Sequence, residues 1–103
     1  MMNKNSDEME HIGEAVMASK ERHQEYILKM TPEWKKVGEK LRKARESLHI
    51  SRREVSELIG ASVSVLVRLE NGQPIRRRCV VETSYRSMLH FIPMRRRMEA
   101  GLE

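Results

Sequence analysis

The residues able to do chemistry in this chain are its arginines, a scatter of serines, four histidines and a single cysteine. His11, His23, His49 and His90 have no metal-ligand spacing with one another or with Cys79, and no glycine-rich phosphate loop or nucleophile motif accompanies them. No metal, cofactor or catalytic group is therefore expected, and the histidines read as ordinary surface or half-buried residues. The carboxylates fall mostly at helix starts or beside basic residues, where capping and solvation account for them. What remains is clustered positive charge, Arg76-Arg77-Arg78 and Arg95-Arg96-Arg97. Such a run is usually a solvated cluster, and it becomes a contact surface only where the fold brings a polyanion to it.

Composition bounds the rest. A chain of 103 residues suffices for one domain with a modest core. With 4% aromatic residues and eight Met, that core must be built from Leu, Ile, Val and adaptable Met side chains. The net charge of +5 favours polyanion partners. It is unevenly placed: −2 over Met1 to Met30, +3 over Thr31 to Ile75 and +4 from Arg76 onward. An acidic leader on a basic remainder suggests that the leader does not lie on phosphates. The lone Cys79 excludes an internal disulfide, which makes a reducing cytoplasm the default. The absence of an apolar run of about 18 residues, and of a signal-peptide pattern, argues against membrane insertion and secretion.

The elements that must position the arginines are signalled most clearly between Ser51 and Gly72, SRREVSELIGASVSVLVRLENG. Ser51 with Glu54 forms a capping box, and Ile50 with Val55 has the spacing of a hydrophobic staple. The helix so started carries Val55, Leu58 and Ile59 on one face and meets Gly60, a helix-ending residue. Ser62 caps a second helix to about Asn71, which Gly72 ends. Before this pair, Thr31-Pro32-Glu33 signals a helix start, and Trp34, Val37, Leu41, Ala44 and Leu48 form its core stripe to about Ser47. After it, Val81, Tyr85, Met88, Leu89 and Ile92 trace another helical stripe ending near Pro93, with Arg95, Arg96 and Arg97 in a loose tail. At the N-terminus, Met9, Ile12, Val16, His23, Ile27 and Met30 recur at mostly helical spacing, so a helix over about Asp7 to Lys29 is expected. The division is an acidic N-terminal helical arm over 1–30, a domain over 31–93 and a basic C-terminal tail over 94–103.

Leu41-Arg42 and Arg45, then Ser51, Glu54, Val55, Leu58, Gly60, Ser62, Leu66 and the run Leu69-Glu70-Asn71-Gly72, resemble the Cro/Xre type of helix-turn-helix, the phage-repressor-like DNA-binding domain. The resemblance covers about Val37 to Ile92. It implies an all-α, compact four- to five-helix domain, here with an N-terminal helical extension, and a structural ion pair between Arg45 and Glu70. In this fold class the second helix of the pair enters the major groove, with the first across the backbone. Ser62, Val63, Ser64, Val67 and Arg68 are then the base-reading positions, with Arg68 able to make a bidentate contact to guanine and the valines able to rest on thymine methyl groups. Arg52, Asn71, Gln73, Arg76, Arg77 and Arg78 are the phosphate contacts so implied. The expected function is a cytoplasmic, sequence-specific DNA-binding transcriptional regulator, a repressor of bacterial or phage type, that binds double-stranded DNA as a homodimer. A regulatory protein partner could use the N-terminal arm. The alternative is a protein-interaction module, antirepressor or antitoxin-like, built on a degenerate helix-turn-helix, because Val63, Ser64 and Val67 hydrogen-bond bases poorly. A DNA binder without sequence preference is the third reading.

Overall fold

Four helices account for nearly all of the structure, a computed structural model that describes residues 4–101 and the side chains from residue 18 on. They are α1, Lys4–Ser47; α2, Arg52–Ile59; α3, Val63–Glu70; and α4, Arg78–Gly101. No strand occurs among the described residues, and the architecture is all-α. The chain divides into two compact units, Met1–Met30 and Thr31–Glu103. In the first, Ile27 and Met30 are half-buried and His23, Tyr26 and Leu28 exposed; the expected stripe positions Met9, Ile12 and Val16 lie outside the described side chains.

The helix pair follows its capping signals. Ser51 Oγ accepts from the Glu54 backbone N–H at 3.1 Å, and Ser62 Oγ accepts from that of Val65 at 3.2 Å. Each satisfies a donor that the first helical turn leaves open. Ile50 and Val55, flanking the first cap, are both buried in the core. Gly60, at φ 76, ends α2 and donates to the Ser56 carbonyl. At the end of α3 the N–H of Gln73 donates to the Arg68 carbonyl and that of Gly72 to the Leu69 carbonyl, a Schellman closure. α1 closes in the same way on a residue that is not glycine. His49, at φ 57, donates to the Glu46 carbonyl while Ile50 donates to that of Arg45. No glycine marks this end, yet the helix stops at Ser47, where the apolar stripe through Leu48 placed it.

Two boundaries differ from expectation. Thr31-Pro32-Glu33 does not start a helix, because α1 runs through Pro32. Likewise α4 does not stop at Pro93 but continues to Gly101, so Arg95, Arg96 and Arg97 lie on a helix and not in a loose tail. Proline forfeits one interior hydrogen bond and crowds the preceding turn; the segments after both prolines are rich in strong helix formers, and the Arg95–Glu99 pair at 3.0 Å spans one turn beyond Pro93.

In the second unit α2 packs on α3 and α4, around Leu41, Ile50, Val55, Leu66, Leu69, Tyr85 and Met88. Leu58, expected to face inward with Val55, is 48% exposed. Glycines set how near α1 comes to the end of α3. A Cβ on Gly38 would stand 2.5 Å from the carbonyl oxygens of both Leu69 and Glu70. One on Gly72, itself at φ +73, would stand 2.7 Å from the Lys35 backbone nitrogen. Backbone atoms cannot swing aside as a side-chain tip can, so these contacts require residues without a Cβ. Gly38→Ala is accordingly expected to destabilise the protein by on the order of 1–3 kcal/mol, through overpacking that outweighs the roughly 1 kcal/mol gain in helix propensity. Urea unfolding monitored by circular dichroism checks this, and a variant as stable as its parent would contradict so close an approach.

Candidate nucleic-acid interface

The last residue of α3 anchors the helix. Glu70 is 4% exposed, and its carboxylate accepts four hydrogen bonds. Arg45 of α1 supplies two, from Nε at 3.0 Å and Nη2 at 3.2 Å. Arg52 of α2 donates from Nε at 2.9 Å, and the Tyr85 hydroxyl of α4 donates at 2.6 Å. Arg45 also donates from Nη1 to the Ile50 carbonyl at 2.9 Å, tying down the α1–α2 connection. The structure thus brings Arg45 and Glu70 together and adds two partners that the motif did not indicate. Tyr85 was readable only as one member of the apolar stripe of α4. Arg52 has its Nε turned to Glu70 while its side chain stays 37% exposed, so it still reaches solvent.

Burial by itself would raise the Glu70 pKa, but the hydrogen bonds from Arg45, Tyr85 and Arg52 outweigh it and hold the carboxyl below its ordinary 4.5. Tyr85 shifts upward, first because the phenol is buried and then because it donates to a carboxylate. Desolvation works against the Arg45 charge, yet Glu70 keeps its pKa raised.

With its C-terminal end held, α3 presents its other edge to solvent. Ser62, Val63, Ser64, Arg68 and Asn71 are exposed and Val67 is half-buried. Gln73, Arg76 and Arg77 follow, also exposed. The Gln73 N–H is spent in the closure of α3, so only its side chain is free for a ligand. Arg68, Arg76 and Arg77 form no ion pair among the described residues. Arg78 differs from its two neighbours. Its guanidinium stacks on Trp34 at 4.3 Å from the ring centroid, pairs with Glu82 at 3.2 Å and donates to the Gln73 carbonyl, leaving 12% of the side chain exposed. Of the triple arginine, two members face outward and the third braces α1 against the start of α4.

Sequence reasoning overlooked Gly38 and the Trp34–Arg78 stack. A glycine inside a strong helical pattern is a signal for close packing; nothing in the spacing of Trp34 and Arg78 announces their stack.

The helix-turn-helix family model matches residues 41–76, the stretch from the last turns of α1 to the loop after α3. No curated protein and no solved structure gives a significant match to the chain.

Glu70→Gln, which strands Arg45 in the core, is expected to cost on the order of 3–5 kcal/mol. The depressed Glu70 pKa also fixes a sign. The unfolded chain takes up that proton first, so its stabilisation is complete above about pH 5 and is lost as pH falls through the lower, folded value. Unfolding curves from pH 7 to pH 3 should show the parent losing stability on the acid side and Glu70→Gln losing less. An acid limb unchanged by the substitution would place the dependence elsewhere. Tyr85, being raised, has the opposite sign: its contribution is complete below about pH 10 and is lost as pH rises.

Proposed function

We propose that this chain is a sequence-specific DNA-binding transcriptional regulator, a cytoplasmic repressor of bacterial or phage type, that occupies operator DNA as a homodimer. What carries the reading is the sorting of arginines around a match to the helix-turn-helix family. Arg45 and Arg78 are withdrawn into the fold, whereas Arg68 on α3 and Arg76 and Arg77 just after it are exposed. In this docking mode α3 lies in the major groove, with Ser62, Val63, Ser64, Val67 and Arg68 toward base edges. Arg68 is the one residue among these with a fork of donors for guanine. Arg76 and Arg77 neutralise phosphates, as does the solvent-facing part of Arg52, with Asn71 and Gln73 as neutral donors; Arg78 is not offered for this role. Two copies are proposed because one helix reads only a few base pairs, and paired half-sites lie one helical turn apart. The helix-turn-helix domain is assigned to 31–93. The acidic arm over 1–30, on which Tyr26 and Leu28 are exposed, is the proposed place for a regulatory protein partner. No described helix is long and apolar enough to cross a membrane.

A second reading has a specific observation behind it. Val63 is 41% exposed at the leading edge of α3, where an apolar side chain suits a protein partner as well as a thymine methyl group. Salt separates the two, since contacts to phosphate release counterions and contacts between apolar faces do not.

Selection of bound fragments from a random duplex pool, followed by titration of the recovered site, tests both. Arg68→Ala is expected to cost about 1–3 kcal/mol on the selected site and little on random duplex. Arg76→Ala and Arg77→Ala are expected to weaken both alike and to lower the slope of log affinity against log salt by about one each. No duplex binding at low salt would favour the protein partner, and steep salt dependence without a selected motif would favour an architectural binder.

A further inference from the structure

Helix α4 has a second apolar face that the fold leaves uncovered. Tyr85 and Met88 enter the core, and Val81, Leu89 and Ile92 pack against it. On the solvent side, Val80 is 60% exposed, Phe91 48%, Met94 49% and Met98 65%. At 100° per residue these four, with Ser84 and Ser87 between them, fall within one narrow stripe. The stripe adjoins a groove of about 550 Å³ lined by Leu58 and Ile59 of α2 and by Ser84, Ser87 and Phe91 of α4. Leu58, exposed in the fold, is one wall of it. Exposed large side chains gathered on one face and bordering a groove mark an interaction surface and not a random scatter of apolar residues.

The order of sizes along the stripe identifies the occupant. Val80, Ser84 and Ser87 occupy its N-terminal half, and Phe91, Met94 and Met98 its C-terminal half. We propose that this face binds the same face of a second copy of the chain, with the two α4 helices antiparallel about a two-fold axis that passes between Ser87 and Phe91. That register sets Phe91 opposite Ser87 of the second copy, Met94 opposite Ser84 and Met98 opposite Val80. Every large side chain meets a small one, and the two-fold operation repeats each contact, as a self-complementary interface requires. Met94 opposite Ser84 enters the groove beside Leu58, which the stripe by itself could not close. A parallel arrangement would instead put Phe91 on Phe91 and leave the serines facing one another. The inference rests on the two-copy form proposed above and gives that form a surface. It leaves the exposed edge of α3 uninvolved, since none of that edge's residues lies on the stripe.

Sedimentation of the full chain without DNA tests it. The parent should run as a dimer, and Phe91→Lys should raise the dimer dissociation constant by about tenfold or more; circular dichroism should stay near the parent's, because Phe91 lies outside the core, and the thermal midpoint should fall only by what the lost association contributed. The register is read by mixing Ser84→Cys chains with Met94→Cys chains, both also carrying Cys79→Ser, under mild oxidation. The mixed pair should cross-link, and neither variant should cross-link efficiently with itself. A monomeric parent, a dimer indifferent to Phe91→Lys, or Ser84→Cys joining its own kind would overturn the proposal. These outcomes are distinct from failure of DNA binding. A chain that dimerises through α4 yet ignores duplex DNA removes the function and keeps the interface, and a DNA-binding dimer indifferent to Phe91→Lys does the reverse.

Discussion

One carboxylate joins all four helices of the structure. Glu70 ends α3, and its two oxygens receive donors from α1, α2 and α4. A carboxylate withdrawn from water at this depth is tolerable only when its lone pairs are occupied and its charge is balanced. Two guanidinium groups and a phenol meet both conditions. The balance is asymmetric, with two cations on one anion, and the excess is eased at Arg52, the member that still reaches solvent. Such a network contributes less to net stability than its bond count suggests, since each charge also gave up hydration. Its larger effect is geometric, because the carboxylate meets all its donors in only one relative arrangement of the helices.

That constraint falls on α3, whose opposite edge is exposed. The C-terminal end of α3 is held three times over: by the Glu70 network, by the closure on Gly72 and Gln73, and by the near contact with α1 that Gly38 permits. Its N-terminal end carries the Ser62 cap, with Ala61 packed against the core before it and Leu66 buried after it. A short helix braced at one end offers Ser62 to Arg68 as a preformed surface, and a preformed surface loses less entropy when a partner arrives. Where the backbone is so placed, affinity depends on which side chains remain uncommitted. Among the described residues Arg68, Arg76 and Arg77 form no ion pair, whereas Arg78 is spent on Trp34 and Glu82.

Helix α4 divides its work between two faces. One closes the core with Tyr85 and Met88, and the other carries Phe91, Met94 and Met98 into solvent. In a chain with few aromatic residues, leaving the only Phe half-exposed forgoes about half of the roughly 1.5–3 kcal/mol that full burial contributes. None of the residues on that face belongs to the exposed edge of α3.

The local elements were legible because their signals are chemical and near in sequence. Ser51 with Glu54, Ser62 before an apolar run, and Gly60 and Gly72 after one fix caps through hydrogen bonds spanning a few residues, and α2 and α3 begin and end where those bonds require. The same local reasoning misplaced Pro32 and Pro93, since a proline weighs one lost hydrogen bond against the propensity of everything that follows it. The family resemblance paired Arg45 with Glu70, 25 positions apart; spacing alone could not have done so. Only the assembled fold decided that Arg52 and Tyr85 complete the Glu70 shell, that Arg78 turns inward while Arg76 and Arg77 do not, and that Leu58 and Phe91 face the same groove. Local sequence determines where hydrogen-bonded turns start and stop, because their partners lie within one or two turns of chain. Which charge is buried and which is presented depends on atoms brought together from distant helices, and those distances exist only after folding.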